Sequence, residues 1–154
     1  MIETALAVWV LTAAGIQLGT LWIMKLSILP MLNALPYDRY VNVCQLIDMS
    51  IFHPIAVWNG VVAAAIGVVA AVLSGDAVIA ALFILGSVGM VVVGLTSEGV
   101  NRPIWRQIEK WRPDGEPPPG WAEKRRTWHV AHQVRTYGAI GAAVAYAVAL
   151  GMTG

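Results

Sequence analysis

Four long apolar stretches constrain this chain more than any other feature of its sequence. They run from Ile2 to Met24 and over about 50–73, 77–97 and 130–152. A helix needs roughly 20 consecutive apolar residues to cross a bilayer core of about 30 Å. Of the 154 residues, 58% are hydrophobic and 12% are charged, against roughly 25% charged residues in soluble domains. The sequence therefore predicts one domain over 1–154, an all-α integral membrane four-helix bundle.

Prolines divide the first half of the chain into elements. We expect the first helix to end at Lys25, because Pro30 and Pro36 indicate a loop after it. A second helix is predicted to begin as an amphipathic stretch at Asp38. It is predicted to become fully apolar beyond a kink at Pro54.

The second half contains one tight turn and one polar connection. Ser74-Gly75-Asp76 predicts a turn between the second and third spans. The connection from Asn101 ends in Pro117-Pro118-Pro119-Gly120, which cannot be helical. The fourth helix is therefore predicted to begin at Trp121.

The distribution of basic residues predicts the orientation in the membrane. Lys25 and Arg39 lie in the connection 25–49, and the other eight of the ten Lys and Arg residues lie in or beside the connection 98–129. The positive-inside rule then places both connections in the cytoplasm and both termini outside. We expect a bacterial inner (plasma) membrane protein that contacts lipid and binds no nucleic acid, although the net charge of +1 by itself says nothing about nucleic acid.

One face of the predicted fourth helix combines aromatic and ionisable side chains. At heptad spacing this face carries Trp121, Arg125, Trp128, His132, Arg135, Ala139, Ala142 and Tyr146. Ionisable groups just inside a membrane boundary are energetically expensive and are often functional. We therefore treat His132 and Arg135 as candidate site residues.

Other polar side chains are predicted at the same depth. Gln45, Asp48 and His53 come from the second helix, and Glu98 and Asn101 from the end of the third. A closed bundle would turn some of these groups inward together. Because buried charges need partners, we expect Asp48 or Glu98 to pair with Arg135.

Each candidate also has a purely structural interpretation. His132 could be a general base, a metal ligand or a hydrogen-bonded structural histidine. Arg135 could extend to the lipid headgroups, and His53 could cap a helix kink. The Trp residues near the boundary also fit an aromatic belt that binds no ligand.

A metal or cofactor is not favoured by the sequence. His129 and His132 are three residues apart and do not form an HExxH motif. Only a mixed site across helices, with His53, His129, His132 and Glu98 as candidates, would suit a metal.

Three segments of the chain form a recognisable pattern. They are Pro119-Gly120-Trp121 with Arg125-Arg126-x-Trp128-x-x-x-His132-x-Val134-Arg135-Thr136, Asn101-Arg102-Pro103-Ile104, and Gln45-x-Ile47-Asp48 followed by Pro54. In these segments the chain resembles a known family, the small four-span DUF1772 or anthrone oxygenase-like proteins, and the likeness covers most of the chain. The chain departs from the pattern at Asp48, His53 and Trp105, where the family usually has Asn.

The resemblance implies oxidation of an apolar aromatic or polyketide-like substrate by O₂ without a cofactor. It implies His132 as the base and Arg135 and Asn101 as stabilisers of the oxyanion. Asp48 or Glu98 would orient the imidazole or balance the arginine. The residues expected to bind substrate are Gln45, Asn101, Trp121 and Trp128.

Alternative functions remain open at this point. A non-catalytic subunit or scaffold, in a homo-oligomer or a larger membrane complex, would use the small-residue pairs Gly15/Gly19 and Gly86/Gly89. A haem or metal carrier would use His53 and His132 as ligands from two helices. Transport of a small solute would require oligomerisation, since four spans are too few for one chain.

Overall fold

An apolar segment in lipid must satisfy its own backbone hydrogen bonds, which a helix does within one segment. The computed structural model describes residues 1–47 and 49–153, and side chains outside 48–52. Within those ranges the regular secondary structure is helical, and there is no β-strand. The helices are α1 Ile2–Ala34, α2 Tyr37–Leu46, α3 Met49–Leu73, α4 Ala77–Ile108 and α5 Trp121–Met152. Four of them (α1, α3, α4 and α5) are long and apolar enough to cross a membrane. The protein is an all-α membrane helical bundle, as predicted.

The four spans form a closed ring. Helix α1 packs against α3 and α5, and α4 packs against the same two helices. Helices α1 and α4 therefore face each other across the bundle, as do α3 and α5. On α5 the predicted face points inward, since Trp128, His132, Ala139, Ala142 and Tyr146 are all buried.

Small residues allow the spans to approach closely. Gly89 of α4 and Gly138 of α5 meet backbone to backbone, since a Cβ built on Gly89 would lie 2.7 Å from the Gly138 carbonyl oxygen. The Gly15/Gly19 pair of α1 differs, because a Cβ on either residue meets no atom within 4 Å. In membranes such packing replaces the hydrophobic driving force that water supplies. The Gly89/Gly138 contact thus joins α4 to α5.

Helices α1 and α4 share an irregularity that the sequence analysis missed. Each contains a π-helical turn, Met24–Ile28 and Ser97–Asn101, and a proline follows two residues later, Pro30 and Pro103. Proline lacks an N–H and its ring clashes with the carbonyl four residues earlier, so a widened turn accommodates it. The prediction that α1 ends at Lys25 and that Pro30 lies in a loop is wrong, because α1 continues to Ala34.

The predicted second helix is two helices. Helix α2 ends at Leu46, where the backbone of Ile47 becomes extended, and Pro54 lies inside α3. The apolar face of α2 packs Tyr40, Val41 and Cys44 against a cluster formed with the end of α4 and the start of α5. Helix α2 therefore lies over one end of the bundle.

The remaining turns follow local chemistry. The carboxylate of Asp76 accepts hydrogen bonds from the amides of Val78 and Ile79, which caps α4 after the predicted turn. Gly120 has a positive φ of 75°, a conformation that glycine adopts without strain, and α5 begins at the next residue. The polar connection is shorter than predicted, since α4 continues to Ile108.

Candidate functional site

A cavity of about 890 Å³ lies between the four spans at the end of the bundle that α2 covers. It is bounded by residues 20–28 of α1, the first turns of α3, the last turns of α4 and residues 128–135 of α5. Its described wall residues are Thr20, Leu21, Ile23, Met24, Ile28, Ile47, His53, Pro54, Val57, Trp58, Glu98, Asn101, Arg102, Trp105, Arg106, Glu109, Trp128, His132 and Arg135. The volume falls within the range of small-molecule sites, which are concave and mostly apolar with a few polar groups.

His132 is held in the cavity wall by a backbone contact. Its side chain is 2% exposed, and Nε2 lies 3.1 Å from the carbonyl oxygen of Leu21. A carbonyl only accepts, so Nε2 carries a proton and donates it to Leu21. In the neutral ring Nδ1 is then the basic nitrogen. Among described residues Nδ1 has no hydrogen-bond partner, so it can accept a proton from a ligand.

Asn101 occupies the last position of the second π-helical turn. It is 4% exposed, and neither its Nδ2 nor its Oδ1 has a hydrogen-bond partner among the described residues. Buried amides are nearly always paired, and an unpaired buried donor or acceptor costs about 1–3 kcal/mol. This amide is an exception that calls for an explanation.

Glu98 connects α3 to α4 at the cavity wall. One carboxylate oxygen lies 2.6 Å from Nε2 of His53, and the other accepts from Arg102 at 2.5 Å. Residues 98 and 102 are four apart on one helix, so the ion pair is local, whereas the contact with His53 crosses between helices. The expected pairing of Glu98 with Arg135 is therefore wrong, because the π-turn directs Glu98 towards α3.

Arg135 lies one helical turn beyond His132 and lines the same cavity. Its Nε is buried and makes no hydrogen bond with any residue that the structure describes. Asp48, the other expected partner, lies outside the described residues. A guanidinium at the cavity wall places positive charge where an anionic oxygen of a ligand could bind.

Three Trp residues also line the cavity, beside a larger number of aliphatic side chains. Trp105 and Trp128 are neighbours, with ring centroids 5.8 Å apart, and the ring of Trp128 lies 6.2 Å from that of His132. Flat aromatic faces suit a flat aromatic ligand, which stacks or packs edge to face on them.

The cavity reaches the outer surface of the bundle. Ile23 of α1 and Trp58 of α3 both line it, yet they are 62% and 65% exposed. In the bilayer an exposed apolar side chain on a span contacts lipid. The gap between α1 and α3 therefore gives a lipid-soluble molecule a lateral route to His132.

Three predicted site residues lie away from the cavity. The side-chain amide of Gln45 donates to backbone carbonyls after α4, the shortest contact being 2.8 Å to Trp111. Trp121 packs edge to face on Tyr37, with centroids 5.1 Å apart. His129 is buried beside Trp128. Gln45 and Trp121 thus hold α2 and the polar connection in place.

In the part of the chain that the structure describes, no three His, Cys, Asp or Glu side chains converge as metal ligands would. Of the four metal candidates, His53, His132 and Glu98 line the cavity, and His129 does not. His53 lies on α3 and His132 on α5, the two helices that face each other across the ring. Each histidine lies twenty residues before the last residue of its helix.

Several cavity residues escaped the sequence analysis. The residues after Lys25 were assigned to a loop, so Ile28 was not considered. Arg102 and Trp105 lie four residues after Glu98 and Asn101, the spacing that places side chains on one helix face. A helix assignment beyond residue 101 would have found both.

No family model, curated protein or solved structure matches this chain.

Proposed function

We propose that this protein is a membrane oxidoreductase that oxidises an apolar aromatic substrate with O₂, as the resemblance to anthrone oxygenase-like proteins implies. The observation that carries the proposal is that His132, Asn101 and Arg135 line the same cavity as the rings of Trp105 and Trp128. The protein would lie in a bacterial inner membrane with its basic connections in the cytoplasm.

The chemistry requires a CH₂ group made acidic by a carbonyl that is conjugated with it through an aromatic ring, as in anthrone. Nδ1 of His132 removes one proton, and the C–H electron pair forms an enolate whose oxygen Arg135 and Asn101 stabilise. The enolate carbon passes its electrons to dioxygen, a C–O bond forms, and the imidazolium returns the proton to give a hydroperoxide. Loss of the second C–H proton then breaks the O–O bond. One oxygen atom remains as the new carbonyl, and the other leaves as water.

The geometry supports this assignment of roles. The bond from Nε2 to Leu21 holds the imidazole in the tautomer that presents a basic Nδ1. The lateral gap at Ile23 and Trp58 suits a substrate that partitions into lipid. Glu98 balances Arg102 and contacts His53, so it acts at the wall and does not orient His132.

Replacement of the base tests the proposal. In His132→Gln, oxygen uptake by purified protein with anthrone should fall about a hundredfold or more, because general base catalysis typically contributes 10²–10⁴-fold. The measurement is oxygen consumption in detergent, corrected for the spontaneous oxidation of anthrone.

The matched control is His129→Gln. His129 is also buried and lies on the same helix, but it does not line the cavity, so its replacement should leave the rate near that of the wild type. Equal rates in wild type and His132→Gln would exclude His132 as the base. A wild-type protein that does not accelerate anthrone oxidation at all would exclude this activity with anthrone.

A metal or haem site is the second candidate, and one observation favours it. His53 and His132 line the same cavity, and Nε2 of each contacts an oxygen atom, of Glu98 and Leu21 respectively. Metal-bound histidines usually hold their second nitrogen in this way. A Soret band or a stoichiometric metal in the purified protein would favour ligation by these histidines over the base mechanism.

A further inference from the structure

The side-chain amide of Asn101 is the least explained polar group of the cavity wall. Both of its polar atoms are buried, and neither has a partner among the residues that the structure describes. The residue is 96% buried at the end of a π-helical turn, a distortion often found at functional sites. A ligand that formed hydrogen bonds with this amide would remove the free-energy cost of leaving it unpaired.

The proposed mechanism uses only half of this amide. Stabilisation of an oxyanion requires the Nδ2 donor and leaves the Oδ1 acceptor unpaired. An unpaired buried acceptor is about as costly as an unpaired donor. Neighbouring groups do not solve this, since Ser97 of the same turn already donates to Val93 at 2.6 Å.

We propose that Asn101 forms hydrogen bonds with two groups of the ligand at once. Nδ2 donates to an acceptor of the ligand, and Oδ1 accepts from a donor of the ligand. This inference rests on the proposed function in that it takes the same cavity as the ligand site. It names the substrate class as flat, apolar ring compounds that carry an acceptor and a donor side by side, as a carboxamide does. The terminal torsion of an asparagine side chain is soft, so the amide plane can turn to meet such a pair.

The surroundings of Asn101 fit this class. Trp105 lies one helical turn further along α4 and lines the cavity, so its ring is available beside the amide. Arg102, the next residue, is paired with Glu98. The edge of the ligand that meets Asn101 therefore faces a neutral amide, which can pair both with a donor and with an acceptor.

Three ligands of nearly equal shape separate the possibilities. In 2-naphthamide the ring carries both an acceptor and a donor, in 2-acetylnaphthalene an acceptor only, and in 2-isopropylnaphthalene neither. Dissociation constants are measured by isothermal titration calorimetry in detergent, for wild type and Asn101→Leu. For each pair of ligands, the ratio of dissociation constants in wild type is compared with the same ratio in Asn101→Leu. Partition of each ligand into the micelle then cancels.

The preference for the amide over the ketone, expressed as a ratio of dissociation constants, should be roughly tenfold larger in wild type than in Asn101→Leu. Tenfold corresponds to the free energy of pairing one buried polar group. The preference for the ketone over the hydrocarbon should be larger by a similar factor. Asn101→Asp removes the donor with little change in shape and should abolish the second preference. Ser97→Ala, on the same turn but outside the cavity wall, should keep both preferences.

Two results would overturn the inference. An unchanged amide-to-ketone ratio in Asn101→Leu, with a changed ketone-to-hydrocarbon ratio, would show that only Nδ2 is used. Failure of wild type to bind any of the three ligands would remove the assignment altogether. The titrations need neither oxygen nor turnover, so absence of anthrone oxidation would refute the proposed activity and leave this result intact.

Discussion

At the scale of single residues, burial determines which side chains can react. Cys44, the only cysteine in the chain, lies on α2 and is fully buried, and this burial raises the pKa of its thiol to about 11. Since the thiolate is the reactive form, only about one thiol in a thousand is ionised at pH 8. A structural cysteine of this kind is inert while the protein is folded.

We predict that Cys44 reacts with a maleimide far more slowly in the folded protein than in denaturing detergent. The rate should rise as the pH approaches 11, because burial favours the neutral thiol and the thiolate forms only near its raised pKa. Mass spectrometry of the modified protein measures the extent of reaction. The control is Cys44→Ala with Leu46→Cys, which places a thiol at a position 83% exposed and should react rapidly. Equal rates at the two positions would show that the Cys44 thiol is not buried in the folded protein.

At the scale of helices, α4 and α5 approach most closely where Gly89 meets Gly138. A Cβ at position 89 would lie 2.7 Å from the Gly138 carbonyl oxygen, closer than real contacts allow. Backbone must therefore shift if Gly89 is replaced, and overpacking of this kind typically costs 1–3 kcal/mol.

We predict that Gly89→Ala lowers the thermal unfolding temperature in detergent. Gly94→Ala is the matched control on the same helix, since a Cβ there meets nothing within 4 Å. It should leave the temperature unchanged or raise it slightly, because alanine is the better helix former. If the two variants unfold at the same temperature, the Gly89/Gly138 contact does not stabilise the bundle.

At the scale of the whole molecule, charge and cavity share one end of the bundle. The basic connections lie at the end where the cavity is found, and the opposite end contains the turn 74–76 and both termini. If the basic end is cytoplasmic, as proposed, the polar wall of the cavity lies near the cytoplasmic boundary.

We predict that the C-terminus lies outside the cytoplasm. Expressed in a bacterial inner membrane, a C-terminal alkaline phosphatase fusion should be active and a C-terminal green fluorescent protein fusion dark. The same reporters fused after residue 115, in the polar connection, should give the opposite result. Fluorescence from the C-terminal fusion would reverse the proposed orientation.

The sequence alone determined the class of fold and the number of spans. Apolar length and the segregation of charge are local properties of the chain, and lipid leaves a helix as the only simple way to satisfy an apolar backbone segment. The start of α5 at Trp121 and its inward face followed from proline chemistry and helical periodicity. The grouping of His53, Glu98, Asn101, His132 and Arg135 in one region was also accessible, because it depends on depth in the membrane.

Only the tertiary structure decided which of these groups touch. Glu98 contacts His53 and Arg102 instead of Arg135, because a π-helical turn rotates that part of α4. The Leu21 carbonyl that fixes the His132 tautomer is 111 residues away along the chain. Such contacts depend on where two helices cross and on one extra residue in a turn. Apolar periodicity does not encode either property, since it is the same for many rotations and registers of a helix in a bundle.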